Sequence, residues 1–193
     1  MDLSEKNIGF ALTGSFCTLK PVIAQMKLLK EEGAHIIPIM SEMVFSTDTR
    51  FGKAVDFINE VQTICEREII ASIGKAEPIG PKKMLDLLII APCTGNTLAK
   101  LALGVNDSCV TMAAKAHLRN GRPLVIAFST NDGLSGSAEN IGRLLNRKNV
   151  YFVPFRQDDA AKKPRSLQSD FSLIDQTVEA ALRGWQIQPI IKN

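Results

Sequence analysis

Residues 87–97 carry the sequence LLIIAPCTGNT, which is the most informative stretch of this chain. Its first five residues are all apolar, and so short a run, bounded by a proline, is typical of a strand buried on both faces. The apolar spacing of residues 95–103 predicts a helix that begins almost at once. A buried strand that passes directly into a helix is the repeating unit of α/β folds.

The same alternation extends in both directions along the chain. Further strands are predicted at residues 8–12, 35–40, 124–128 and 150–153, and helices at 19–32, 52–73 (as one helix or two), 108–119 and 137–147. We therefore predict a three-layer, Rossmann-like (flavodoxin-like) α/β fold, in which a parallel sheet carries helices on both faces. We predict one domain over residues 1–193, with a basic loop at 155–168 and a C-terminal helix at 169–184.

The composition narrows the classes of protein. The net charge is only +3, and the basic residues are spread along the chain, which argues against a nucleic-acid binder. The N-terminus lacks a signal-peptide pattern, and no apolar run is long enough to span a bilayer. The four cysteines have neither C-x-x-C nor metal-ligand spacing. We expect a cytoplasmic protein with reduced thiols, no metal site and no membrane contact.

Polar residues follow the first predicted strand, where ligands of open α/β sheets bind. Thr13-Gly14-Ser15 combines a glycine, which lets a ligand approach the backbone, with two hydroxyl groups ahead of a helix. This combination suits a phosphate group. It is neither the dinucleotide fingerprint nor a P-loop. A tight strand-to-helix turn explains the glycine equally well, and both interpretations stay open.

Similar residues follow the other strands. Ser41 can cap the next helix or donate to a phosphate. Pro92-Cys93-Thr94-Gly95-Asn96-Thr97 offers more polar groups than one helix cap needs, which indicates a bound anion. Cys93 has no histidine near it in sequence, so we expect a buried thiol rather than a nucleophile. Gly104 and Ser108 are expected to be helix caps. Residues 129–131, predicted as a loop, lie on the same side of the sheet.

These motifs resemble the flavoprotein family that includes phosphopantothenoylcysteine decarboxylase and flavin prenyltransferase. The resemblance spans roughly residues 7–153, and its most specific part is P-x-x-x-N-T at 92–97; Gly104-x-x-Asp107 adds to it. It implies FMN as cofactor, with the phosphate and ribityl chain near the first motifs, the flavin ring near residues 129–131, and a homo-oligomeric assembly. The implied FMN-binding residues are Thr13, Gly14, Ser15, Ser41, Pro92, Thr94, Gly95, Asn96, Thr97, Ser129, Thr130 and Asn131.

The tail is similar to one branch of that family. It carries V-P-F-x-Q-D at 153–158 and K-K-P-x-S-L at 162–167. The resemblance implies an FMN-type subunit that acts, during sporulation, with a second subunit in oxidising a dihydro- or tetrahydropyridine dicarboxylate to the aromatic pyridine dicarboxylate. NAD or NADP would act through that second subunit.

The substrate carboxylates of such a reaction need cations or N–H donors. Candidates are Lys162, Lys163, Arg165 and Ser166, on a loop that would close over the flavin. A solvated basic loop is the alternative interpretation.

The chain lacks motifs that are typical of the decarboxylases and prenyltransferases of this family. The decarboxylases carry a histidine after the second strand, whereas this sequence has only His35 and His117, both expected to be structural. The decarboxylase motif P-x-M-N-x-x-M-W is replaced at 128–134, where only Asn131 remains, and the Arg-Glu pair of the prenyltransferases is missing there too. No general base is identified. Two alternatives stay open: an FMN-dependent decarboxylase of a thiol-bearing acid, and a non-catalytic subunit that supports the synthase.

Overall fold

The computed structural model describes residues 3–192, in which five strands run parallel. They are β1 (Asn7–Leu12), β2 (His35–Met40), β3 (Leu87–Cys93), β4 (Leu124–Thr130) and β5 (Val150–Phe152). Their order in the sheet is β2-β1-β3-β4-β5. The chain passes to one side of β1 to form β2 and to the other side to form β3. This switch opens a crevice at the carboxyl ends of β1 and β3, where ligands of such sheets bind.

Pro38 lies inside β2 without breaking the sheet. β2 pairs with β1 along its whole length. On its other side, Met40 N donates to the carbonyl of Ile70 at 3.0 Å. Backbone groups of residues two apart face the same side of a strand, so the nitrogen of Pro38 also faces this outer side. The missing N–H therefore removes no hydrogen bond to β1.

Two short strands extend the far edge of the sheet. β6 (Phe155–Arg156) and β7 (Leu167–Ser169) form an antiparallel pair. β7 also pairs antiparallel with Ser129 and Thr130, at the end of β4, while β5 pairs with the start of β4. The predicted fold class is confirmed, with this antiparallel pair added to the parallel strands. The prediction of a continuous loop at 155–168 is wrong, because both ends of that segment enter the sheet.

Helices cover both faces of the sheet. One face packs against α1 (Leu19–Glu31), α3 (Ala54–Cys65) and α8 (Ile174–Leu182). The other packs against α4 (Ile73–Ala76), α5 (Gly95–Leu103), α6 (Cys109–Leu118) and α7 (Ala138–Leu145). A short helix, α2 (Glu42–Ser46), follows β2 directly. The strands alternate their side chains between the two apolar cores, which explains why they are apolar throughout.

Most predicted helix boundaries agree with the structure to within two residues, and the exceptions are informative. The region 52–73 contains α3, then an extended segment whose Ile70 bridges to Ile39 of β2, and the start of α4. The C-terminal helix does not begin at residue 169, which ends β7. It begins as a 3-10 turn at Phe171–Leu173 and continues as α8. No helix within residues 3–192 is long and apolar enough to cross a membrane.

Candidate functional site

A cavity of about 510 Å³ lies at the carboxyl ends of β1, β2 and β3, at the switch in strand order. We call it the switch-point cavity. Six of the predicted site residues line it: Thr13, Gly14, Ser41, Thr94, Asn96 and Thr97. It is also lined by residues that the sequence pattern did not assign to the site, namely Glu42, Met43, Ser46, Thr47, Lys100, Asp107, Ser108 and Val110. Four separate segments of the chain therefore converge on one cavity.

Thr13 holds the two sides of the switch together. Its Oγ1 donates to the carbonyl of Pro92 at 2.7 Å and accepts from the backbone N–H of Thr94 at 3.0 Å. The backbone N–H of Thr13 donates to the same carbonyl at 3.2 Å. The hydroxyl proton of Thr13 is thus already used. Thr13 and Pro92 shape the cavity, and Pro92, as part of β3, does not line it.

The start of α5 presents backbone donors. Thr94 is the N-cap, and its Oγ1 accepts from Thr97 N at 3.2 Å and lies 3.0 Å from Thr97 Oγ1. No described residue accepts a hydrogen bond from the backbone N–H of Gly95 or Asn96. These are the donors that a helix leaves free in its first turn, and they carry the positive end of its dipole. Asn96 lines the cavity and Gly95 does not, so the N–H of Asn96 is the one placed to bind an anion there.

Ser41 was expected either to cap the next helix or to donate to a phosphate, and its contacts distinguish these two roles. It is the N-cap residue of α2, and its backbone N–H donates to the carbonyl of Leu12 at 3.0 Å. Its side chain makes no capping hydrogen bond, and its Oγ is buried without a partner among the described residues. A buried hydroxyl without a partner costs roughly 1–3 kcal/mol. The capping interpretation therefore fails for the side chain, which belongs to a residue of the cavity lining and has an unused hydrogen-bonding group.

The two other residues of the first motif differ in position. Gly14 lines the cavity, and a Cβ placed on it would lie 3.2 Å from Cγ of Met43, tighter than ordinary van der Waals contact. Ser15 does not line the cavity; its Oγ accepts from Thr18 Oγ1 at 3.0 Å. Gly14 is thus the member of the motif that lies at the cavity, while Ser15 stabilises the turn that follows.

Two carboxylates and one lysine line the cavity, so its lining has no excess of positive charge. Lys100 Nζ lies 2.8 and 2.9 Å from the carboxylate oxygens of Asp107. The hydrogen bond from Lys100 lowers the pKa of Asp107 below its usual value. Glu42 adds a further carboxylate to the lining. Recognition of an anion here therefore depends on N–H and hydroxyl donors more than on a free cation.

A second polar cluster lies behind the start of α5. Asp132 Oδ1 accepts hydrogen bonds from Thr130 Oγ1 and, at 2.8 Å, from Ser137 Oγ. The bond from Thr130, the larger cause, lowers the pKa of Asp132 below its usual value. A Cβ on Gly95 would lie 2.7 Å from both hydroxyl oxygens, so only glycine fits against this cluster; Gly95 itself does not line the cavity. The sequence pattern did not single out Asp132 or Ser137.

Residues 129–131 are not the loop that the sequence predicted. Ser129 and Thr130 belong to β4 and pair with Gln168 and Leu167 of β7. Asn131 follows the strand and is exposed. None of the three lines the switch-point cavity, although Thr130 reaches Gly95 through the Asp132 cluster.

The basic segment forms the connection of the β6–β7 hairpin. Lys163 Nζ lies 3.0 Å from Asp158 Oδ2, and Ser166 is buried with its Oγ donating to the carbonyl of Thr130 at 3.3 Å. Lys162 and Arg165 are exposed and form no ion pair within residues 3–192. None of these four residues lines the switch-point cavity.

His117 and Cys93 have the structural roles expected of them. His117 is buried, and its Nε2 donates to the carbonyl of Pro123 at 3.0 Å, while burial lowers its pKa to about 4. His35 was also expected to be structural, but its side chain is exposed at the start of β2, where its backbone N–H donates to the carbonyl of Lys6 at 2.9 Å. Cys93 is buried, and burial raises the pKa of its thiol. The expected caps are confirmed too: Gly104 ends α5, and Ser108 forms a capping box with Thr111 at the start of α6.

Comparisons with known proteins agree with this geometry. A family model described as Flavoprotein matches residues 1–169. The B subunit of dipicolinate synthase from Bacillus subtilis (strain 168) is 48% identical over 189 residues, which cover 98% of this chain and 94% of that protein.

Two solved structures extend the comparison. The crystal structure of the B subunit of dipicolinate synthase from Bacillus halodurans superimposes with a TM-score of 0.93 at 47% identity, covering 100% of this chain and 99% of the other. A dodecameric FMN-dependent UbiX-like decarboxylase from Escherichia coli O157:H7 has a TM-score of 0.59 at 23% identity, covering 77% of this chain and 79% of the other. The second similarity concerns the fold alone.

Proposed function

The chain belongs to the Flavoprotein family, and from this premise we propose that it is the FMN-binding B subunit of a dipicolinate synthase. In this proposal it acts in the cytoplasm, during sporulation, with an A subunit. Together they oxidise a dihydro- or tetrahydrodipicolinate-type precursor to pyridine-2,6-dicarboxylate. NAD or NADP would be used by the A subunit.

One observation carries the cofactor assignment: Ser41, whose buried hydroxyl has no partner among the described residues, lines the same switch-point cavity as Asn96, whose backbone N–H is free in the first turn of α5. A phosphate monoester offers several acceptor oxygens and would satisfy all of these donors. The site is built from neutral donors, with its lysine already paired to Asp107. The residues present therefore suit the phosphate of FMN.

Some residues of this chain would bind the cofactor directly, and others would keep the strands around it in position. Ser41 and the first turn of α5 at Gly95 and Asn96 would bind the phosphate, and Gly14 would give it access to the backbone. Thr13 and Thr94 would keep β1 and β3 at a fixed separation through their hydrogen bonds. Bound FMN would supply an electron-accepting ring, while the protein supplies position and field.

The contacts within the β6–β7 hairpin indicate which of the four predicted substrate-binding residues are free to bind a carboxylate. Aromatising a dihydropyridine removes two electrons and two protons and leaves both carboxylates in place, so the site must hold a dianion. Of the four predicted residues, Lys163 is engaged by Asp158, and Ser166 by the carbonyl of Thr130. Lys162 and Arg165 remain exposed. We therefore assign the carboxylate contacts chiefly to Lys162 and Arg165.

Apolar side chains beside the cavity support a homo-oligomeric assembly. Met43 and Phe45 of α2 and the nearby Phe51 and Val55 are exposed, Met43 by 56%. Exposed apolar patches of this kind mark interaction surfaces. The Escherichia coli relative of the same fold is described as dodecameric. A second copy of this chain would bury the patch and enclose the cavity further.

The first experiment is a visible absorption spectrum of the purified protein, before and after addition of FMN and desalting. A retained flavin spectrum, followed by formation of pyridine-2,6-dicarboxylate once the A subunit and the precursor are added, would support the proposal. A flavin spectrum without any oxidation would leave the decarboxylase of a thiol-bearing acid as the next activity to assay. A colourless protein that keeps no FMN would overturn the cofactor assignment and favour a non-catalytic supporting subunit.

A further inference from the structure

A second cavity, of about 350 Å³, lies on the outer surface of the helices α5, α6 and α7. We call it the basic groove. Four cationic residues line it, Lys115 and Arg119 on or after α6 and Arg147 and Lys148 after α7, and no carboxylate does. Its floor is apolar, with Leu101, Ala114 and Leu118. The groove is separate from the switch-point cavity, which lies at the starts of α5 and α6.

A structural role explains only some of the four cationic residues in the groove. Arg147 donates to the carbonyl of Leu101 at 3.1 Å and so satisfies an end group of α5. Cations near the last turn of a helix also offset its dipole, by about 0.3–1 kcal/mol each. Lys115, Arg119 and Lys148 are nevertheless exposed and form no ion pair within residues 3–192. Three cations therefore share one groove without any counter-charge from the described chain.

The edge of the groove is apolar and exposed. Leu103 and Val105 lie on either side of Gly104, which lines the groove, and Leu145 lies two residues before Arg147. These side chains are exposed by 63%, 41% and 44%. A small anion would use the cations and leave these side chains in water. An acidic protein segment with apolar side chains would bury both the cations and the apolar edge.

The groove also adjoins the switch-point cavity. The connection between α5 and α6 contributes Gly104 and Asn106 to the groove, and Asp107 and Ser108 to the cavity. Asp107 holds Lys100, which also lines the cavity. A protein bound in the groove would therefore contact the same connection that borders the proposed FMN site.

We propose that the basic groove is the docking surface for the A subunit, through an acidic segment of that subunit that also presents apolar side chains. This inference rests on the proposed function, which supplies the partner. It adds the surface that is used and the chemistry that recognises it. Docking here leaves the carboxyl ends of the strands open to FMN and substrate.

The test is the affinity of the purified A subunit for this chain, measured by biolayer interferometry at low and high salt. The variant Lys115→Glu with Lys148→Glu reverses two exposed charges and leaves Arg147 and its helix contact intact. The control, Lys27→Glu with Arg67→Glu, makes the same change in net charge on the opposite face of the sheet. A neutral pair, Lys115→Gln with Lys148→Gln, separates loss of attraction from added repulsion.

We expect the groove variant to weaken binding at least about tenfold at low salt, the neutral pair to weaken it less, and the control to change it by under about twofold. Circular-dichroism spectra and melting temperatures equal to those of the native chain verify the fold of all variants. Equal binding by native and groove variants would overturn the groove while leaving the proposed partnership intact. If the native chain does not bind the A subunit, the partnership itself fails, and the groove as its docking surface with it. A changed sedimentation coefficient of the groove variant alone would assign the groove to contacts between copies of this chain, against the proposal.

Discussion

The switch-point cavity and the β6–β7 hairpin are both polar regions near the carboxyl ends of the strands, yet their polar groups differ in how they are satisfied. Among the residues that line the cavity, the Ser41 hydroxyl and the backbone N–H of Asn96 have no partner within the described chain. In the hairpin, Lys163 pairs with Asp158, and Ser166 is bonded to Thr130. Polar groups that fold without partners indicate a ligand, whereas polar groups that satisfy each other indicate structure.

The largest effect is expected from closing the cavity. In Gly14→Asp, a carboxylate enters the space proposed for the phosphate, and its Cβ meets Met43. We expect FMN affinity to fall by at least about a hundredfold through like-charge repulsion and lost space. Equilibrium fluorescence titration with FMN measures it. The matched control is Gly74→Asp, since a Cβ at Gly74 meets nothing within 4 Å. Unchanged FMN affinity in Gly14→Asp would place the phosphate elsewhere.

His117 is a buried polar side chain that has a hydrogen-bond partner within the fold, and its effect on stability can be measured as a function of pH. Its pKa is lowered to about 4, chiefly by burial, so the folded state keeps it neutral. The unfolded chain binds the proton more readily, with a pKa near 6.5. His117 therefore contributes stability fully above about pH 6.5, and this contribution falls as the pH drops towards about 4, by roughly 2–3 kcal/mol.

Urea unfolding of the native protein and of His117→Gln between about pH 4 and pH 7 measures this dependence. The variant is expected to lose most of the pH dependence over that interval. A native protein whose stability does not change with pH there would show that His117 is not held neutral by the fold.

Unlike His117, the buried Ser41 hydroxyl has no partner among the described residues. In Ser41→Ala the variant loses a hydroxyl that has no partner in the described chain, so the free protein should keep its melting temperature or gain a little. The same change should weaken FMN about tenfold, equivalent to about 1.4 kcal/mol. Calorimetry with and without FMN gives both values. Lower stability in the free protein would mean that the hydroxyl has a structural partner, and the comparison between the two regions would fail. Ser46→Ala is a control, because the Ser46 hydroxyl, also at the cavity, is bonded to the carbonyl of Glu42 at 2.8 Å.

The smallest effect is expected in the hairpin, where neighbouring lysines should differ. Lys162→Glu removes an unpaired cation and should raise the apparent KM of the assembled synthase about threefold, with kcat nearly unchanged. Lys163→Gln removes a cation that Asp158 already engages and should leave KM unchanged. Steady-state kinetics with both variants separates the two positions. If Lys162→Glu has native kinetics, the basic segment is a solvated turn.

Much of the fold could be predicted because each element carries its own pattern. The apolar runs at 8–12, 35–40 and 124–128 became β1, β2 and the body of β4, and the helices α1, α5, α6 and α7 lie where their spacing predicted. The candidate site was predictable for a related reason. Parallel strands bring their carboxyl ends to one edge, so the polar residues after β1, β2 and β3 had to converge.

The rest depended on contacts between distant residues. Nothing in the short sequence of Leu167–Ser169 distinguishes a strand from a loop, since it becomes β7 only by pairing with the end of β4. Ser169 Oγ accepts from Phe128 N at 3.0 Å, across 41 residues of chain. The same pairing drew Ser129 and Thr130 into the sheet, against the prediction of a loop. Asp132 and Ser137 likewise became a site-supporting cluster only through their contact with Thr130 and Gly95.

The sequence by itself therefore determined the alternation of strands and helices and the residue types at the switch-point cavity. Only the tertiary structure decided which polar groups remain without partners, because a hydroxyl such as that of Ser41 is satisfied or not according to what distant segments bring beside it. It also decided that the ends of α5, α6 and α7 meet in a groove of cations, since charges spread along the chain become one surface only when the helices pack. Periodicity is a local property, whereas hydrogen-bond satisfaction and surface charge belong to the assembled fold.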